Sequence, residues 1–433
     1  MKKSSFLCTV AAVASLVSCT ALSVVVEDPI CISSPVPTEQ ITKVSLDATQ
    51  QGYVQAGNTM AFRFLDKMYD GNNLILSPLS LQYALAMTAN GASGETLRQI
   101  VDFLGYGADG IDALNAYCKT MLEQLPAVDL DVTLKLTDAL LVNDQFPLLP
   151  SFQKTVQENY YAAVSNMDFS DPAQVAATIN DWAKRSTNGF IDKVLEPSEI
   201  SDNAVAFLMN ALYFKAKWAG TGYDPMFRDY ATQDEKFTLS DGSTKQVKMM
   251  NNMRRHRYAQ MDGYKVLVLP YANGNYFMYI LLPDQNKLDD LVKKLPGIAW
   301  KDILASLKTD ADVYVKLPKF EVENKFELSG ALNALGVKKP FVQGDAEFGL
   351  MFQPKEQHYD YWIGKVIQKA RIAVDEWGTE AAAVTIVEME GATSPDPGVE
   401  PKRVNFYADH PFVFLIGEAS SGTILFEGTY TGK

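Results

Sequence analysis

The apolar residues of this chain follow a helical period near the N-terminus and a strand period towards the C-terminus. That switch restricts the fold to one in which helices and sheets occupy different stretches of sequence. Asn58 to Asp70 and Pro78 to Asn90 read as helices. The second has Ser77 as N-cap, Pro78 at its first position and Gly91 as its stop. Leu97, Val101 and Leu104 mark a third helix ending at Gly105. Later, Val266 to Leu269 and Tyr276 to Leu282 flank Asn273-Gly274, while Asp241-Gly242 divides a second pair, both being hairpin signals. Val313, Val315 and Leu317 alternate with polar neighbours as in a half-buried strand. Phe412 to Ile416 and Ile424 to Tyr430 flank a last turn at Ala419 to Gly422. The expectation is an α+β fold without internal repeats.

The chain has 433 residues, 47 % hydrophobic and 21 % charged, which suits a folded globular protein. Nothing after the first fifty or so residues reads as an interdomain linker, although the length alone would allow two or three domains. A formal charge of -13 repels phosphate backbones and sulfated polysaccharides, so neither nucleic acid nor a heparin-like cofactor is expected. Enzyme signatures are weak. The three histidines, His256, His358 and His410, form no metal-spaced pair, and there is neither a paired Cys motif nor a Gly-x-Ser-x-Gly elbow. Gly105-Tyr106-Gly107-Ala108-Asp109-Gly110 fits a dinucleotide-binding pattern but follows a helix where that motif needs a strand, so a helix-to-helix turn is expected. His410, before Pro411, reads as a structural residue. No cofactor and no metal are expected.

The first residues form a targeting segment. Lys2 and Lys3 precede an apolar stretch from Phe6 to Val17, too short for the roughly 20 residues that span a bilayer. Leu16-Val17-Ser18-Cys19 resembles a bacterial lipoprotein signal, which implies cleavage of residues 1–18 and acylation of Cys19. An ordinary secretory signal is the alternative. Multiple acyl chains anchor stably, and Thr20 after the Cys resembles the pattern sorted to an outer membrane, facing periplasm or cell surface. Residues 19–45 are rich in Ser, Thr and Pro and read as a flexible tether, with the folded domain at 46–433. Cys8 leaves with the signal, and Cys31 and Cys118 do not suggest a disulfide framework.

The most informative stretch is Glu376-Trp377-Gly378-Thr379-Glu380-Ala381-Ala382-Ala383-Val384-Thr385. It resembles the hinge of the reactive-centre loop in the serpin family of serine protease inhibitors. Further landmarks follow in the family's order: Asn73 to Ser80, Asn210 to Trp218, Leu317 to Phe320, and Asp409 to Phe414. The resemblance implies a single domain of three β-sheets and eight to nine α-helices with an exposed loop. It also implies a suicide mechanism in which the loop is cut, acylates the protease and then inserts into the central sheet, trapping the enzyme. Loop insertion of this kind is itself a standard example of strand addition.

The hinge residues fit that demand. By period two, Thr379, Ala381, Ala383, Thr385 and Val387 would face inward, all small or β-branched, and no Pro interrupts before Pro395. Noninhibitory members, which act as binding proteins or plain protease substrates, tend to carry charge, bulk or Pro there, so inhibition is the expected activity. By resemblance, Trp218 and an ion pair of Glu376 with Lys319 form the breach where the loop enters, and Ser77 and Asn210 belong to a shutter that controls opening. Where the family usually has a shutter His, this chain has Gln368, which bonds but does not titrate. Sheet opening without a His-linked pH step is expected; a steep change between about pH 5 and 7, lost in Gln368→Ala, would overturn this. The family spacing puts the scissile bond at Ala392-Thr393, with Met389, Glu390 and Gly391 as alternatives. No Lys or Arg lies between Trp377 and Pro401, which disfavours trypsin-like targets. Serine proteases of elastase or subtilisin type, and papain-like cysteine proteases, are the expected partners of a monomer.

Overall fold

The computed structural model describes residues 30, 32, 34–106, 110–220, 224–284, 287–355, 359–379 and 402–433. Among the described residues there are nine α-helices and three sheets. The helices are α1 (Ala48–Met68), α2 (Pro78–Ala89), α3 (Gly94–Leu104), α4 (Gly110–Gln124), α5 (Pro150–Tyr160), α6 (Pro172–Ser186), α7 (Leu288–Lys294), α8 (Trp300–Ser306) and α9 (Ser329–Ala334).

Local chemistry explains where they start and stop. Ser77 caps α2 by accepting from Ser80 N, and Pro78 occupies the first turn, as the sequence suggests. Gly105 ends α3 in the left-handed region, where an added Cβ would meet that of Ala56 at 2.5 Å, so the glycine pattern here serves a helix end. Helix α1 begins earlier than its apolar period indicates. Asp47 and Gln50 form a capping box that extends it backwards through polar residues.

The first sheet runs in the order β1 (Leu74–Leu76), β16 (Ile424–Tyr430), β15 (Phe412–Glu418), β9 (Tyr276–Pro283), β8 (Tyr264–Tyr271) and β7 (Arg257–Met261). The second has β14 (Lys402–Tyr407), β10 (Ala311–Pro318), β6 (Thr244–Arg255) and β5 (Gln233–Thr238). The central sheet has β11 (Phe320–Glu327), β12 (Ile367–Asp375), β13 (Gly378–Thr379), β4 (Ala206–Lys217), β2 (Thr133–Asn143) and β3 (Ala163–Met167). All four expected hairpin and strand signals appear, as β5/β6, β8/β9, β10 and β15/β16.

Two apolar clusters hold these layers. The larger unites the first sheet with α1, α2 and one face of the central sheet, through Phe62, Leu85, Phe214, Phe320 and Phe414 among others. The smaller lies beneath α6, where Val175, Ile179 and Trp182 pack on Ala139, Leu141 and Met209 of β2 and β4. Ile30, within the segment read as tether, is fully buried in this second cluster, and its carbonyl accepts from Arg185 Nη2 at 2.8 Å. Residues 34–45 form neither helix nor strand. Ile41 N reaches Ala127 O at 2.9 Å, and Val44 N reaches Ser420 Oγ at 2.9 Å.

Cys118 is a buried free thiol in α4, and burial pushes its pKa up. Glu427 is a stranger member of the core: its side chain is fully buried in β16 between Leu76 and Leu415, with both carboxylate oxygens lacking partners among the described residues.

Candidate functional site

At the top of the central sheet the chain leaves β12, turns at Asp375-Glu376-Trp377, and returns as β13. Asp375 Oδ1 accepts from Trp377 N at 2.8 Å and Gly378 N at 3.3 Å, which closes the turn. β13 is antiparallel to both neighbours: Thr379 lies opposite Val374 on one side and Ala216 on the other. Strands β12 and β4 therefore stand two strand spacings apart at this level, about 9.5 Å. Among the described residues β13 is their only ladder connection.

Gly378 has to be glycine. Its φ is +154°, and a Cβ would stand 2.1 Å from Ala216 O and 2.8 Å from Lys217 Cα. Thr379 is buried, 3 % exposed, with its hydroxyl bonded to the Tyr271 hydroxyl. Tyr271 in turn stacks on Trp218, ring centroids 4.5 Å apart and planes within 8°. Trp218 Nε1 donates to Asp375 O at 2.8 Å, so one indole braces both the turn and the tyrosine.

The expected ion pair is present. Lys319 Nζ lies 2.7 Å from Glu376 Oε2, with the Glu376 side chain only 6 % exposed. Thr232 Oγ1 donates to the other oxygen at 2.7 Å. Burial pushes the Glu376 pKa up, but the bonds from Lys319 and Thr232 outweigh it, and the carboxyl sits below its ordinary range. Trp377, between these anchored residues, points to solvent at 54 % exposure.

Ser77, Asn210 and Gln368 meet around the N-terminus of α2. Gln368 brackets the backbone of Ser77, accepting from its N–H at 3.0 Å and donating to its carbonyl at 2.8 Å. Ser77 Oγ donates to Leu425 O at 3.0 Å, tying the helix start to β16. Asn210 joins through Ser80, whose hydroxyl donates to Asn210 Oδ1. The Asn210 amide donates at 2.8 Å to Asp138 Oδ1 of β2, one strand further on.

Tyr271, Thr232 and Asp138 are site residues that reading the sequence did not find, and Ser80, inside the Asn73 to Ser80 landmark, was not singled out there. Asp138 had a signal: it stands directly before the apolar run from Ala139 to Val142, where an acid implies either a turn or a buried carboxyl. Tyr271 and Thr232 had none, since their partners, Thr379 and Glu376, are more than a hundred residues away in the chain. Cys19, Glu380, Ala381, Ala382, Ala383, Met389, Glu390, Gly391, Ala392 and Thr393, together with the exposed loop they imply, lie outside the described residues, as does His358. His410 bonds Asp409 Oδ1 and the Pro283 carbonyl, both at 2.8 Å, consistent with a structural residue. No group of three His, Cys, Asp or Glu side chains able to hold a metal occurs among the described residues. No described helix is long and apolar enough to cross a membrane.

The two middle strands of the central sheet, β12 and β4, are thus held a strand's width apart by the two residues of β13. The family model for Serpin (serine protease inhibitor) matches residues 55–432. Serpin-ZX of Arabidopsis thaliana is 30 % identical over 388 residues, which are 86 % of this chain and 95 % of that one. Serpin-Z1A of Triticum aestivum is 35 % identical over 370 residues, 82 % of this chain and 89 % of the relative. The thermophilic serpin tengpin in its native state superposes with a TM-score of 0.78 at 28 % identity, covering 92 % of this chain and 98 % of that one. A cleaved serpin 42Da gives 0.77 at 27 %, covering 89 % and 100 %. This chain belongs to the serpin family, whose members are generally protease inhibitors and not enzymes. The relatives named here by sequence are plant proteins and the family match begins at residue 55, so neither lends support to a bacterial source or a lipid anchor.

Proposed function

We propose that this protein is a covalent, single-use inhibitor of serine proteases, with elastase-like and subtilisin-like enzymes as first targets and papain-like cysteine proteases as a second class. The observation that carries this reading is Thr379, docked between β4 and β12 and in register with both. Continued downward, that register would set Thr385 opposite Asn210 and Gln368, with Ala381 and Ala383 at the intervening inward positions. Small uncharged side chains suit such a path. The absence of Lys and Arg from 377–401 supports a target pocket that takes Ala or Met. Cleavage is proposed at Ala392-Thr393, with Met389, Glu390 and Gly391 as neighbouring alternatives.

Mixing the protein with elastase and with subtilisin should give an SDS-stable complex and a released C-terminal fragment beginning at Thr393. Cleaved protein beside fully active protease would show instead a noninhibitory member of the family. Gly378→Val should favour that second outcome, because the side chain cannot occupy the space beside Ala216; complex should fall at least several-fold relative to cleaved product.

For localisation we propose cleavage after Ser18, acylation of Cys19 and attachment to the cell envelope, in the outer membrane. The support is the sequence of the first residues. Detergent phase partitioning is the test: the protein should enter the detergent phase and Cys19→Ser should not, whereas equal partitioning of the two would indicate an ordinary secretory signal.

A further inference from the structure

The hydrogen bonds around the start of α2 fall into two halves. One half, on β12, is Gln368 clasping the Ser77 backbone. The other, on β4, is Asn210, held between Ser80 Oγ and Asp138 Oδ1. Gln368 has no proton to exchange near neutrality. Asp138 does.

Asp138 is 1 % exposed, and its Oδ2 finds no partner among the described residues. The titratable groups that face it come from three helices. Tyr83 of α2, itself with a partnerless buried hydroxyl, Cys118 of α4 and Tyr160 of α5 all feel its charge. Tyr117 and Tyr276 lie beyond, against Tyr83. Every one of these is buried, and burial raises the pKa of each, so all are neutral at physiological pH. Among the described residues no cation contributes. The position is on the sheet strand next to β4, one hydrogen bond from the asparagine that flanks the accepting register.

We propose that Asp138 is a positioning residue for sheet opening: as a neutral acid it sits at low cost in the closed sheet while accepting from the Asn210 amide, and as a carboxylate, even with that bond strengthened, it favours the open sheet, where it can be hydrated. A neutral carboxyl offers its carbonyl oxygen to Asn210 Nδ2 without placing charge in the cavity. On losing its proton it becomes an anion among hydroxyls and a thiol, with one hydrogen bond to its credit and no counter-charge. That anion gains hydration only when α2 and the sheet part. Burial, opposed by the Asn210 bond, pushes the Asp138 pKa up to about 7, which places the change in the physiological range. The sign follows: a raised pKa stabilises the closed state at low pH, and the stabilisation is lost as pH rises towards and through that value.

This inference rests on the proposed insertion mechanism, so the test must separate the two. The rate at which the protein takes up a synthetic peptide of the sequence from Thr379 to Ala392 reads sheet opening without any protease. For the wild type the rate should rise by up to about tenfold between pH 6 and pH 8, where an open state hydrates the carboxylate fully. D138N preserves the acceptor for Asn210 and should give a flat profile, while Gln368→Ala should keep the step. A flat wild-type profile, or an unchanged step in D138N, overturns the role of Asp138. Failure to take up peptide at any pH overturns insertion itself. Should D138N not fold, the wild-type profile alone decides, since absence of a step near pH 7 is enough to reject the idea.

Discussion

Thr379→Arg should turn the proposed inhibitor into a substrate. Inhibition of this kind is a race between loop insertion and hydrolysis of the acyl-enzyme, and Thr379 is the first residue across the line. Its side chain is enclosed between β4 and β12, bonded to the Tyr271 hydroxyl and lining a small cavity with Leu212, Phe214 and Ile372. A guanidinium there would be a buried charge without a partner, at a cost of about 4 kcal/mol. Loaded onto the insertion barrier, that slows insertion by roughly a thousandfold. Deacylation then wins, the SDS-stable complex disappears, and the protease is recovered active with the loop cut. The native protein can simply swing the hinge out, so its unfolding midpoint should move by no more than about 2 °C. A variant that still trapped protease at the wild-type yield would refute the assignment of this hinge.

Glu427→Met should stabilise the protein. The wild-type carboxyl is buried with both oxygens unpartnered among the described residues, and burial raises its pKa well above the ordinary value. Burial thus favours its neutral form. A raised folded-state pKa means that stability is greatest below the unfolded value and declines as pH climbs from there towards the folded one. Methionine has similar length, suits the leucines on either side, and removes a polar group that is costly to bury. A gain of about 2–4 kcal/mol is expected, or very roughly 2–5 °C in the unfolding midpoint for a chain this long. The difference between variant and wild type should be larger at pH 8 than at pH 5. A destabilised Glu427→Met would mean that the carboxyl has a partner or a task.

Both predictions depend on residues whose surroundings differ greatly in how far the sequence reveals them. The helix starts and stops at Ser77, Pro78 and Gly105 are local chemistry and were readable. The same holds for β8/β9 and β15/β16, whose turns carry their own signals. The start of α1 was misjudged because its first turns are polar and only the Asp47 and Gln50 pair marks them. Strand β2, with an acid in its middle, offered no clean alternation, since both of its faces are covered, one by α6 and one by the main core. At the site, Glu376, Lys319, Trp218 and Gln368 were found through resemblance, not through periodicity. Their geometry could not be, because Glu376 needs Thr232 and Thr379 needs Tyr271, partners that only the closed fold supplies. Asp138 was visible as an oddity and legible only once Asn210 stood beside it.

The arrangement of the first sheet also governs when this protein can become itself. Val44 bonds a residue 376 positions away, and β1, near the start of the folded part, is completed by β16, near the end of the chain. Contacts of such long range form late and slowly. At ordinary rates of synthesis of about 5–20 residues per second, the ribosome delivers β16 many seconds after β1. Until then β1 has no neighbour in its sheet, and Ser77 of α2 lacks the Leu425 carbonyl that receives its hydroxyl. The first sheet thus cannot close, nor the start of α2 be tied to it, until β16 has been made.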